Sequence, residues 1–184
     1  VSNRYITSHF PLISILLFSL SFALFVQGYI LEQLVEFGLY DGMREFFSEN
    51  GIKLTLLFLL VFLFFMIFSA LKLIADTVFQ LSMLFFSKDE EGKELIKVRY
   101  GTWIFLISGI LSLFLTFNWI WLLLLFVFTC FIYFTYFIYT VSSSLTFLGM
   151  CGMVFFQVIF WSTFILLILF ACFKLYNSFI ASLP

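Results

Sequence analysis

The sequence predicts an all-α fold: a polytopic transmembrane helix bundle of about five membrane-spanning helices, with one short interfacial helix in the first loop. Three observations lead there. Hydrophobic residues make up 64% of the chain and charged residues only 10%, a balance outside the range of water-soluble domains. The apolar residues fall into runs of about twenty or more, the length a helix needs to cross ~30 Å of hydrocarbon. The 184 residues hold about five such spans with short loops, so one integral membrane domain fills residues 1–184 and leaves no room for an extramembrane catalytic domain.

The first span covers about 10–36. It opens at Phe10-Pro11, where proline suits a first helical turn, and it places Ser14, Ser21, Gly28 and Glu32 on one face, a small-residue side suited to helix packing. Arg4 and His9 precede its apolar start, but no small-x-small cleavage site follows, so it is expected to remain as an uncleaved helix. Glu32 and Glu36 read as a solvated helix end rather than a cation site. In residues 37–52, Asp41-Gly42 and Asn50-Gly51 are turn signals bracketing a short helical piece, MREFFSE, whose Phe46 and Phe47 dip into the interface.

The second span, about 53–86, would run roughly 50 Å as a straight helix, well beyond the bilayer core. It carries Lys72 and Asp76, four residues apart and therefore able to pair on one helical face. Thr55, Ser69, Gln80 and Ser87 extend a polar stripe along that side. An ion at mid-bilayer costs at least a few kcal/mol, so the stripe should face other helices, a wet cavity or the interface. Residues 87–101 are the strongly charged segment. Ser87 with Glu90 forms a capping-box pattern, and Lys93, Lys97 and Arg99 would meet anionic headgroups.

The third span, about 102–117, bears Ser108, Ser112 and Thr116 at steps of four, a face that lets another helix approach closely. Phe117-Asn118-Trp119 makes a tight turn, and Trp119 and Trp121 belong in an aromatic belt. The fourth span, about 119–141, aligns Thr129, Tyr133, Tyr136 and Thr140. Ser142, Ser143 and Ser144 break the chain before the fifth span, about 146–174, where Gly149, Met153, Gln157 and Trp161 share a face and Lys174 snorkels to the interface. Cys130, Cys151 and Cys172 lie singly in apolar runs without metal-ligand spacing and read as small buried hydrophobes.

Five spans place the termini on opposite sides. Arg4, Lys88, Lys93, Lys97 and Arg99 outnumber Arg44, Lys53 and Lys174, which predicts a cytoplasmic N-terminus and a cytoplasmic 87–101 loop. With that orientation, Lys72, Asp76, Gln80, Tyr133 and Tyr136 fall at similar depth, with Gln157 and Ser108 nearer the middle, as a candidate intramembrane polar cluster. Its sharp reading is a proton or monovalent cation relay. Its bland reading is structural glue or an interfacial pair, and that reading weighs more, because a transport route needs a chain of titratable groups and the helices otherwise offer hydroxyls and amides.

No catalytic, cofactor or metal constellation is present in the sequence: there is one intramembrane aspartate and one histidine, His9, so enzyme activity is not expected. The net charge of −1 lacks the clustered basic face that nucleic acid requires. No internal repeat supports an inverted-repeat transporter.

The runs HFPLISILLFSLSFAL, YDGMREFF, FSALKLIAD and LFFSKDEEG resemble the YufK-like family of small integral membrane proteins of bacilli, over most of the chain from the first span into the third. The resemblance implies a bacterial cytoplasmic-membrane protein and supplies no functional residues. The expected function is that of a structural or accessory subunit. Its partners would be the lipid bilayer and another integral membrane protein or a second copy of the chain; direct cation movement through Lys72 and Asp76 is the alternative.

Overall fold

The structure is a computed structural model and describes residues 9–88 and 97–181. Six α-helices form over these residues: α1 (Phe10–Glu36), α2 (Leu39–Arg44), α3 (Glu49–Phe86), α4 (Thr102–Ser112), α5 (Trp119–Val141) and α6 (Phe147–Ala181). Short 3-10 turns, Arg99–Gly101 and Leu113–Leu115, flank α4, and a third, Ser142–Ser144, joins α5 to α6. Four helices, α1, α3, α5 and α6, are long and apolar enough to cross a membrane. The fifth apolar stretch, Arg99–Leu115, is shorter. The larger rise per residue of its tighter 3-10 ends stretches it to about 28 Å, close to the bilayer core.

Local chemistry explains where the helices begin and end. Pro11 occupies the first turn of α1. Gly38, at φ +69°, makes the left-handed turn between α1 and α2 that a side chain would strain. The short helix of the first loop is therefore Leu39–Arg44, with Asp41-Gly42 inside it rather than at a turn. Ser48 caps α3 by accepting the Gly51 N–H at 3.1 Å. That cap draws Asn50-Gly51 into the first helical turn, so α3 begins at Glu49 rather than Lys53. Asn118 caps α5 by accepting the Ile120 N–H at 2.9 Å. Past Lys174 the chain meets no glycine or proline before Pro184, and α6 continues to Ala181 rather than ending at 174. Of the residues expected in the charged loop, Glu90 and Lys93 fall outside the described residues, as does Arg4.

The packing centres on α1, which lies against both α3 and α4; α4 in turn packs on α5, and α6 packs chiefly on α3. Small residues permit the closest approach. Ser21 and Ser112 share a buried hydrogen bond at 2.7 Å between α1 and α4, and a Cβ on Gly109 would stand 3.2 Å from Leu17. Between α1, α3 and α5 the filling is aromatic: Phe18, Phe22, Phe64, Phe68 and Phe126 meet ring to ring. A second cluster, Phe79, Met83, Val98, Tyr133, Phe137, Val141 and Met153, ties α3, α5 and α6 together near the end of the molecule that carries Ser87.

The helices alternate in direction. At one end Phe10 meets Trp103 with ring centroids 4.4 Å apart, and the Lys88 N–H donates to the Ser144 carbonyl at 3.1 Å. At the other end, Gln27 Nε2 donates to the Lys53 carbonyl at 2.6 Å.

Candidate functional site

Lys72 Nζ donates to Asp76 Oδ1, one helical turn away, and the two form an ion pair. Lys72 lies four residues beyond Phe68 and seven before Phe79, a spacing that keeps all three on one face of α3. Phe68 meets Phe126 of α5 at 5.1 Å, and Phe79 meets Phe137 at 4.3 Å and Tyr133 at 5.7 Å. These aromatic contacts act as two pillars between α3 and α5, and the ion pair lies in the interval between them. That interval corresponds to the stretch of α5 around Thr129 to Tyr133, midway between Trp119 at one end of the helix and Tyr139 near the other. The pair is not closed in: 29% of the Lys72 side chain and 43% of the Asp76 side chain remain open.

Tyr133 is buried between Phe79 and Phe105, within electrostatic range of both Asp76 and Tyr136. The Tyr136 hydroxyl donates to the Lys97 carbonyl at 3.3 Å. The residue that seats both phenols was not among the sequence candidates. A Cβ on Gly101 would come within 2.8 Å of the Tyr133 and Tyr136 rings, so the absence of a side chain there lets the start of α4 lie directly on them. The glycine that ends the charged loop was the available signal.

The other candidates lie elsewhere. Each step of four residues overshoots a full helical turn by about 40°, so Gln80 lies roughly 80° around α3 from Lys72, and it is exposed. Ser108 is buried on α4, next to the Gly109 contact with α1. Gln157 forms a separate polar node with α3. Its Nε2 donates to Ser82 Oγ at 2.8 Å, its Oε1 accepts from Trp161 Nε1 at 3.2 Å, and Ser82 Oγ donates to the Val78 carbonyl at 2.7 Å. Gln157 is only 2% exposed, and each side chain of this buried node is hydrogen-bonded to another group, which suits structural glue. Ser82 was missed because one hydroxyl among many carries no distinguishing pattern.

Among the described residues, no group of three or more His, Cys, Asp or Glu side chains is placed to hold a metal ion. The cysteines expected in the interior are exposed on the outer faces of α5 and α6, where an apolar sulfur side chain is equally at home if those faces meet lipid. Residues 165–181 of α6 are exposed, with Leu166, Leu167, Phe170 and Phe173 on the surface.

Helices of this length with leucine and phenylalanine turned outward define a polytopic helical membrane protein. The chain belongs to a family of unknown function (DUF5366), whose profile matches residues 27–184. It is 47% identical to the uncharacterized membrane protein YufK of Bacillus subtilis (strain 168), over the whole of both chains. The resemblance read from the four sequence runs is therefore a full-length relationship. No solved structure matches the chain.

Proposed function

We propose that the chain is a non-enzymatic structural or accessory protein of the bacterial cytoplasmic membrane that binds a larger integral membrane protein, with its N-terminus and its 87–101 loop in the cytoplasm. The observation that carries this reading is the half-open Lys72–Asp76 pair, midway along the bundle. A charge at that depth costs ~3 kcal/mol against lipid, and a polar surface supplied by a partner removes much of that cost. The exposed apolar side chains Leu166, Leu167 and Phe170 of α6 offer the same partner a surface to pack on.

The test is purification of the tagged chain from its own membrane in mild detergent, with mass determination of what accompanies it. A larger membrane protein at fixed stoichiometry, lost on the double change Lys72→Met and Asp76→Leu, is the expected result. A chain that emerges alone, or a partner indifferent to the double change, overturns the proposal.

A second reading draws on Asp76, Tyr133, Tyr136 and the Lys97 carbonyl, which run in series from the middle of the bundle toward the charged loop. Such a line suits movement of protons or monovalent cations. Asp76→Asn in reconstituted vesicles decides it: flux lost with assembly intact supports the relay, and flux unchanged removes it.

A further inference from the structure

Because α6 packs on α3 and diverges from α5, a groove of about 410 Å³ opens between α5 and the first turns of α6. Its walls are apolar, from Phe131, Phe134 and Ile138 on α5 and from Met150 and Val154 on α6. Its hydroxyl groups are Thr135 along the wall and Tyr139 and Ser142 toward one end. At that end the Ser142–Ser144 turn accepts the backbone N–H of Lys88, whose side chain is exposed. The groove is therefore greasy along its length and ends on hydroxyls at the turn that also anchors the Lys88 backbone.

We propose that this groove binds one membrane phospholipid, with an acyl chain along α5 and the phosphate at Ser142 and Lys88. Length selects this occupant. From Phe131 to Ser142 the chain advances about 16 Å, which matches the roughly 15 Å depth of one leaflet's hydrocarbon, half of a ~30 Å core. The polarity has the same direction as a lipid, with the apolar wall toward mid-bilayer and the phosphate ligands at the aromatic-rich end near Tyr139. The site is separate from the surface proposed to meet a protein partner, and neither depends on the other.

The test uses the full-length chain, delipidated in detergent and titrated with phosphatidylglycerol or with diacylglycerol of the same acyl chains, bound lipid being counted by native mass spectrometry. The expected result is saturation at one phosphatidylglycerol per chain, with diacylglycerol at least tenfold weaker. Thr135→Trp, an exposed groove position, should weaken both lipids tenfold or more, and Lys88→Gln should narrow the gap between them. Val154→Phe serves as a second groove-filling change if Thr135→Trp perturbs the helical circular dichroism, and Leu166→Trp on the exposed part of α6 should change nothing. Binding that does not saturate, or that survives groove filling, overturns the proposal. Equal affinity for the two lipids overturns the phosphate assignment.

Discussion

Two positions show how single residues set the packing of the bundle. At Gly101 the two tyrosine rings occupy the volume a methyl group would need, at 2.8 Å. Gly101→Ala must push Tyr133 and Tyr136 aside in a packed region and should cost about 1–3 kcal/mol, read as a lower unfolding temperature in detergent. If the second reading of function holds, it should also alter ion flux, because the phenols move. At Ser82 the argument concerns hydrogen bonding. Ser82→Ala leaves the buried Gln157 Nε2 without its acceptor, a loss of about 1–3 kcal/mol. The double change Ser82→Ala with Gln157→Leu removes both partners of this bond but also the acceptor of Trp161 Nε1–H, so its loss should be smaller than the sum of the two single changes, which a double-mutant cycle measures directly. Additive losses would show that the hydrogen bond contributes nothing beyond the two side chains.

At the scale of elements, the first turns of α6 make a close approach to α3 at two glycines. A Cβ on Gly149 would lie 2.9 Å from the Phe86 carbonyl oxygen, and a Cβ on Gly152 would lie 2.5 Å from the Phe86 ring. The two glycines, three apart on one face, let α6 lie directly on the end of α3, where Phe156 meets Phe85 and Phe86. Gly149→Leu collides with backbone, which cannot rotate away, and should detach the first turns of α6. In a background without native cysteines, a Phe85→Cys and Phe156→Cys pair, at positions whose rings meet with centroids 6.1 Å apart, should be joined by a short bifunctional thiol reagent. Adding Gly149→Leu should lower that yield several-fold; an unchanged yield would place the hold on α6 in the Gln157–Ser82 node instead. These contacts also mark what sequence could reveal. The helices were legible because a bilayer demands apolar runs of fixed length, and the Lys72–Asp76 pair was legible because both partners lie on one helix, four residues apart. The Tyr133–Gly101 and Gln157–Ser82 contacts join residues 32 and 75 positions apart, and helical periodicity says which face a residue takes, not which neighbour it meets.

At the scale of the whole molecule, the number of membrane crossings follows from closure of the chain rather than from helix length. The Lys88 N–H bonds the Ser144 carbonyl, and Ser87 bridges to Leu145, so the end of α3 and the junction before α6 lie on the same side of any membrane. Between them the chain must cross an even number of times. If α5 crosses once, the shorter Arg99–Leu115 stretch is expected to cross as well, its ~28 Å length falling just short of a ~30 Å core. This closure predicts five crossings, with α4 shielded by α1 and α5 on its packed faces. Single cysteines introduced into a cysteine-free chain check this in sealed membrane vesicles with an impermeant thiol reagent. Lys88→Cys and Ser143→Cys should label from one side, and Asp41→Cys and Asn118→Cys from the other. If Asn118→Cys labelled together with Lys88→Cys, α4 would be a re-entrant or surface helix, α5 would carry Ser144 to the far side of the bilayer from Lys88, and their hydrogen bond could not exist.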